Sequence, residues 1–206
     1  GIVTARDGLV VSQSKEELLN KIDRFANADL TDSEVRSEFF SQKQEGKYSA
    51  GDSRGWKLSD ARKSIRHLDH SSFIRPLTYR PFDTRFIYYH PKMVDWTREK
   101  LMKNFLSGQN IGLIVPKQLA PGEEPGGYVT KFLGGHKTFS AYNSNYYFPL
   151  YLYIEGGSPI PNLDSQIVKN IESIVGKVKP EEIFDYVYAV LYSPAFREKY
   201  KIGRAS

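Results

Sequence analysis

Catalysis needs reactive groups at fixed spacing, and this sequence supplies few. Its four histidines are His67, His70, His90 and His136. His67 and His70 stand three apart, so a helix end could bring them together, but neither has the glutamate of a zinc-hydrolase motif or a carboxylate cluster beside it. They read as ordinary histidines, and no metal ligand is assigned. Glu123 and Glu124 lie in a glycine- and proline-rich loop, a poor mount for acid–base carboxylates that need a fixed separation. Gly126-Gly127 and Gly134-Gly135 lack both a Lys-Ser/Thr ending and a following helix, so neither makes a phosphate cradle. A metal-dependent nuclease would place an acid on one strand and Glu-X-Lys on the next; Asp83 with Arg85 does not meet that pattern. Adenine methylation would require a cofactor loop and an Asn/Asp-Pro-Pro-aromatic motif for an extruded base, and neither occurs. The predicted catalytic set is empty.

One stretch stands out from this background. Arg75, Arg80, Arg85, Lys92, Arg98, Lys100 and Lys103 are interleaved with Phe73, Tyr79, Phe82, Phe86, Tyr88, Tyr89 and Trp96. The chain has a net charge of +5, yet Arg54–Lys103 alone holds 12 basic and 5 acidic residues, so the remainder is slightly acidic. Concentrated cationic charge suits an anionic partner: Lys and Arg neutralise phosphates, and planar Arg can read guanine edges. The alternative is a half-buried sheet with a solvated charged face, and composition alone does not choose between them.

The elements that must position these residues follow from pattern. Residues 1–13 read as an extended strand, with Ile2, Val3, Leu9, Val10 and Val11 around Arg6-Asp7-Gly8; opening inside a strand pattern suggests a piece of something larger. Ser14 with Glu17, and Thr31 with Glu34, predict two capped helices, the first burying Leu18, Ile22, Phe25 and Ala26 and the second bearing Val35 and Phe39. Ser59 is the expected cap of a third helix carrying Ile65 and Leu68. Phe73–Arg80 and Thr84–Tyr89 predict two strands joined by Pro81-Phe82-Asp83. Thr97 is expected to cap a helix with Leu101, Met102, Phe105 and Leu106 inward, ended by a left-handed Gly108. Ile111–Val115, Tyr128–Leu133 and Tyr146–Tyr153 read as sheet strands, and Gly156–Pro161 as a linker. Two final helices carry Ile167, Ile171 and Ile174, then Ile183, Val187, Val190 and Leu191. At 206 residues the expectation is a single domain spanning 1–206. Its predicted class is α+β, with a mixed or antiparallel central sheet flanked by N-terminal and C-terminal helices. The absence of cysteine removes disulfides and thiol chemistry. With no membrane-length apolar stretch and no basic-then-apolar leader, the cytoplasm is the expected location.

Tyr79-Arg80-Pro81-Phe82-Asp83-Thr84-Arg85-Phe86-Ile87-Tyr88-Tyr89 resembles the C-terminal specificity domain of the Type ISP family, the single-chain ATP-dependent restriction-modification enzymes. The resemblance extends to Gly1-Ile2-Val3-Thr4-Ala5-Arg6-Asp7 and to Gly112-Leu113-Ile114-Val115 with Lys117-Gln118. It continues in Phe148-Pro149-Leu150-Tyr151-Leu152-Tyr153 and in Tyr188-Ala189-Val190-Leu191-Tyr192-Ser193-Pro194. These blocks stand in family order and cover nearly the whole chain. The resemblance implies a longer polypeptide with a nuclease, a helicase-like ATPase and an adenine-N6 methyltransferase. S-adenosylmethionine, ATP and Mg would then belong to those other segments and no cofactor to this one. It further implies double-stranded DNA as partner, along with the methyltransferase and helicase-like domains of the same polypeptide.

On this reading the chain selects a target site and is not an enzyme by itself. Phosphate contacts would set register and base-edge contacts specificity. The expected phosphate contacts are Arg75, Lys92, Arg98 and Lys103. The expected reading loops carry Lys117, Gln118, Lys131, His136, Lys137 and Asn143. The Arg80, Phe82, Asp83 and Arg85 block is expected to be structural, with Phe82 anchoring a core and Asp83 pairing with Arg80 or Arg85, because an element common to enzymes of different target is a poor base reader. Two alternatives stand beside this reading: a catalytic fragment of a nuclease or methyltransferase, and a coupling module that does not touch DNA.

Overall fold

A computed structural model describes residues 1–41, 46–118, 126–139 and 143–199 of the 206. The fold is α+β. The chain divides into two compact units. The N-terminal unit comprises Ile2–Tyr79 and Asp83–Thr97, and the C-terminal unit comprises Gly1, Arg80–Phe82 and Arg98 onward.

The N-terminal unit opens with a short helix, α1 (Asp7–Val10), and a two-residue strand, β1 (Val11–Ser12). The strand expected over residues 1–13 is therefore interrupted. Buried Arg6 pairs with Asp95 and lies 4.1 Å over the Trp56 ring, which turns the chain into a helix where alternation alone suggested extension. Helix α2 (Lys15–Ala26) begins at Ser14, whose hydroxyl accepts from Glu17 N. It buries Leu18, Ile22, Phe25 and Ala26, one stripe at helical spacing. Helix α3 (Asp32–Phe40) carries the full Thr31–Glu34 capping box. It buries Val35 and Phe40, while Phe39 is half-buried and meets Phe25 edge-on. Helix α4 (Leu58–Ile65) starts one residue before the expected Ser59 cap, so Ser59 lies inside it.

Arg62 on α4 is the polar hub of this unit. Only 3% exposed, it donates from Nε to Phe25 O (2.8 Å) and from Nη2 to Asn27 O (2.6 Å) and Leu30 O (2.7 Å), and it pairs with Asp32. One guanidinium thus satisfies carbonyls at the end of α2 and beyond it that would otherwise be orphaned. A 3-10 turn (His70–Phe73) leads into the hairpin strands β2 (Ile74–Arg80) and β3 (Asp83–Tyr88). Strand β1 pairs antiparallel with β3, Val11 opposite Ile87 and Ser12 opposite Phe86.

The C-terminal unit begins with α5 (Glu99–Leu106), which buries Met102 and Phe105. Its N-cap is Arg98, in left-handed backbone, one residue past the expected Thr97. Gly108 is not left-handed; a side chain there would strike the Tyr153 ring, so packing is what calls for glycine. An antiparallel sheet of β4 (Gly112–Pro116) between β5 (Tyr128–Thr130) and β7 (Asn145–Pro149) forms the centre, with the two-residue β6 (Leu133–Gly134) between β5 and β7 in sequence. Gly112 faces Thr130 and Pro149, Ile114 faces Tyr128 and Tyr147, and Pro116 faces Asn145. Strands β8 (Tyr151–Leu152) and β9 (Ile160–Pro161) pair antiparallel. Helices α6 (Ser165–Val175), α7 (Pro180–Tyr192) and α8 (Pro194–Lys199) close the chain. Helix α6 buries nothing: Ile167, Ile174 and Val175 are exposed, as are Tyr186 and Val187 on α7.

Candidate nucleic-acid interface

The register of the β5–β4–β7 sheet decides which loops share an end. Strand β4 stops at Pro116 opposite Asn145, so Lys117 and Gln118 leave the sheet where Asn143 and Ser144 enter it. The Lys117 amide donates to Ser144 O at 2.8 Å, tying the two loops main chain to main chain. A third loop joins them through Asn145, whose amide and Nδ2 both donate to His136 O, at 3.1 and 3.2 Å. Beneath that loop the buried Tyr147 hydroxyl lies 2.7 Å from Thr138 Oγ1 and 2.9 Å from Gly135 O. Burial drives its pKa upward, so it is a permanent neutral strut.

Lys117, Gln118 and Lys137 are exposed on these loops, while His136 and Asn143 are half-buried. Burial, then neighbouring positive charge that includes Lys137 and Arg98, pulls the His136 imidazole below its ordinary value. Lys117, Gln118, His136, Lys137 and Asn143 therefore converge on one end of the sheet, which can offer cations to phosphates and amides to base edges.

Of the other expected contacts in this unit, Lys131 and Lys103 are not on these loops. Lys131 follows β5 at the opposite end, facing a cleft of about 630 Å³ also lined by Asn110, Tyr151, Tyr153 and Glu181. Lys103 is exposed on the last turn of α5. Arg75 and Lys92 belong to the N-terminal unit. Arg75 is half-buried and donates to its neighbour's carbonyl, Ile74 O, at 2.9 Å; Lys92 is exposed, and its carbonyl accepts from Trp56 Nε1 at 2.7 Å.

The structural block needs one correction. Phe82 anchors no core: it is 93% exposed, with φ +62°. Pro81 followed by a residue of positive φ matches a type II turn, and such a turn holds its second central side chain out at the hairpin tip. The Phe82 amide donates to the Tyr128 hydroxyl at 3.1 Å, and the two rings meet edge-on, 5.4 Å apart at 85°. Asp83 pairs with Arg85, as one of the two expected partners, by contacts of 2.8 to 3.1 Å. The Arg85 guanidinium stacks 3.9 Å over Tyr79, which leaves it a structural cation. Tyr128 and the exposed Phe82 tip are the features that sequence reasoning missed; the signal was a bulky residue after proline in a two-residue connection, where glycine is the easy choice.

One glycine of each pair is a packing device. A side chain at Gly134 would overlap the Tyr147 ring, and one at Gly127 would overlap Leu113, so packing calls for glycine at these two positions. Among the described residues no three His, Cys, Asp or Glu side chains gather as a metal site, and no helix is long and apolar enough to cross a membrane.

The chain is thus an α+β fold with a cationic, amide-bearing sheet end. The chain belongs to the Type ISP C-terminal specificity domain family, whose model matches residues 1–202. No curated protein matches it. Among solved structures it is similar to a DrdV–DNA complex determined by cryoEM, at 25% identity and a TM-score of 0.71 over 98% of this chain and 20% of that one. A nuclease-deletion mutant of the Type ISP restriction-modification enzyme LlaGI, in complex with a DNA substrate mimic, shares the fold at 20% identity and TM-score 0.61, over 98% of this chain and 15% of that one. The ATP-dependent Type ISP restriction-modification enzyme LlaBIII, bound to DNA, does so at 16% and 0.62, over 98% and 13%. The chain thus spans a fifth or less of each of these proteins.

Proposed function

We propose that this chain is the double-stranded DNA target-recognition domain of a Type ISP restriction-modification polypeptide, selecting the site at which an adenine-N6 methyltransferase of the same polypeptide acts. The observation that carries this reading is the convergence of Lys117, Gln118, His136, Lys137 and Asn143 on one sheet end through loops joined by main-chain hydrogen bonds. Family membership and the DNA-bound state of the similar structures support it. Arg98, Lys117 and Lys137 are assigned to phosphates, and Gln118 and Asn143 to base edges. Arg75, Lys92, Lys103 and Lys131 are assigned to outlying phosphate contacts. The exposed apolar residues of α6 and α7 support contact with protein surfaces of the longer polypeptide, since bare Ile and Val faces favour cover. Both partners fit one chain, with DNA on the sheet end and protein on the helices.

Duplex binding measured across a salt series tests this. The logarithm of affinity should fall steeply with the logarithm of salt, and Lys117→Ala or Lys137→Ala should each flatten the slope by about one unit on every sequence. Gln118→Ala should cost about 1 to 3 kcal/mol on the proper target and far less on random DNA. Salt-independent binding by the protein would sink the reading. S-adenosylmethionine and ATP belong to other segments on this proposal, and one-to-one calorimetric binding of either by the chain would contradict it.

A further inference from the structure

The Phe82 ring is nearly all in water, its backbone is in a conformation suited to glycine, and it is still held in place. Two contacts from one residue fix it: the Tyr128 hydroxyl takes its amide hydrogen, and the Tyr128 ring meets its edge. Such a mount orders the ring while leaving most of it uncovered.

Its position relative to the recognition edge follows from register within the C-terminal unit. Tyr128 and Tyr147 both face Ile114 and so lie on one cross-strand row and one face of the sheet. The Tyr147 hydroxyl in turn holds the loop bearing His136 and Lys137, through Gly135 O and Thr138 Oγ1. That row precedes the Pro116–Asn145 row by two residues, about 7 Å at strand rise. The turn and the cationic loops therefore share a face and an end of the sheet.

We propose that Phe82 is a wedge that enters the base stack of duplex DNA held by the recognition edge. An apolar ring inserted between base pairs needs no hydrogen-bond code, so it acts on any sequence and locally opens or kinks the duplex. Tyr128 is its positioning residue. This inference rests on the DNA-recognition reading above.

The test uses the complete polypeptide and duplexes carrying 2-aminopurine at successive positions, whose fluorescence rises when the probe unstacks. Wild type should brighten the probe several-fold at one or two adjacent positions. Phe82→Ala should abolish that rise at saturating protein, while affinity changes by less than about tenfold and the salt slope stays the same. Phe82→Trp should keep the rise, and Tyr128→Phe, which loses only the hydroxyl, should reduce it. If wild type binds with steep salt dependence but no probe brightens, or if Phe82→Ala brightens as wild type does, the wedge is overturned and DNA recognition stands. If Phe82→Ala instead lowers the melting temperature of the polypeptide without altering any DNA signal, the ring is a protein-docking anchor and the wedge is again overturned. If no salt-dependent duplex binding occurs, both proposals fall together.

Discussion

Phe82 and His136 show how single side chains here depart from their ordinary states. A phenylalanine in left-handed backbone carries about 1 to 2 kcal/mol of conformational cost, and at 93% exposure its ring recovers almost no burial energy. Phe82→Gly should therefore be more stable than Phe82→Ala by about 1 kcal/mol, and Phe82→Ala should melt close to wild type. Thermal denaturation of both variants measures this, and a loss of 3 kcal/mol or more in Phe82→Ala would mean that the ring is buried. His136 is held below its ordinary pKa first by burial, and so is His90, where burial is followed by the charges of Lys92 and His70. A depressed folded-state imidazole means that the unfolded chain binds protons more readily. Its stabilising contribution is complete above the unfolded value of about 6.5 and is lost as pH falls through the folded value. For DNA the sign reverses: a phosphate beside His136 favours the imidazolium, so binding should take up a proton and tighten as pH falls. Calorimetry in two buffers of different ionisation enthalpy should show that uptake near neutrality, and it should vanish in His136→Gln.

At the scale of elements, the joints carry the energy. Arg62 ties α4 to the end of α2 and the start of α3 with four contacts from a site that is almost fully buried. Arg62→Ala leaves several carbonyls and Asp32 without their partner and should cost about 3 to 5 kcal/mol in denaturant unfolding. Arg62→Lys should recover little, because an ammonium cannot fork to the same carbonyls. A loss below 1 kcal/mol for either variant would show that solvent can replace the guanidinium. Although α3 buries Phe40 in place of the expected Phe39, the stripe of α2 and the caps of α2 and α3 were legible in the sequence, since periodicity and Ser14 or Thr31 encode them locally. So were the hairpin, β4 and the two long C-terminal helices. What escaped was set by distant contacts, α1 by Arg6 against Asp95 and Trp56 and Gly108 by the Tyr153 ring, or by a backbone conformation that no side-chain pattern announces, the left-handed Arg98 at the start of α5. For the site, the loop residues were legible as candidates from their composition. Their convergence was not, because it depends on strand register that no local pattern states.

In the molecule as a whole, the ten DNA-contact candidates divide unequally, with Arg75 and Lys92 in the N-terminal unit and the other eight in the C-terminal one. Two of the twelve cations in Arg54–Lys103 are spent inside the protein, Arg62 on carbonyls and Asp32 and Arg85 on Asp83 and Tyr79, and Arg75 is half-buried. Removing Arg75 and Lys92 together should therefore change the salt slope by less than removing Lys117 and Lys137 together, which a titration of each double variant on random duplex would measure. Equal effects would mean that both units touch the backbone equally. The feet of the recognition loops are held by Lys117 N to Ser144 O and Asn145 N to His136 O, bonds that involve only main chain. Such bonds are blind to which side chains sit at 117, 118, 137 or 143. Those positions can drift through many residue types while the frame beneath them stays put, so a new target preference could arise by exchanging a few surface residues, without the chain having to learn to fold again.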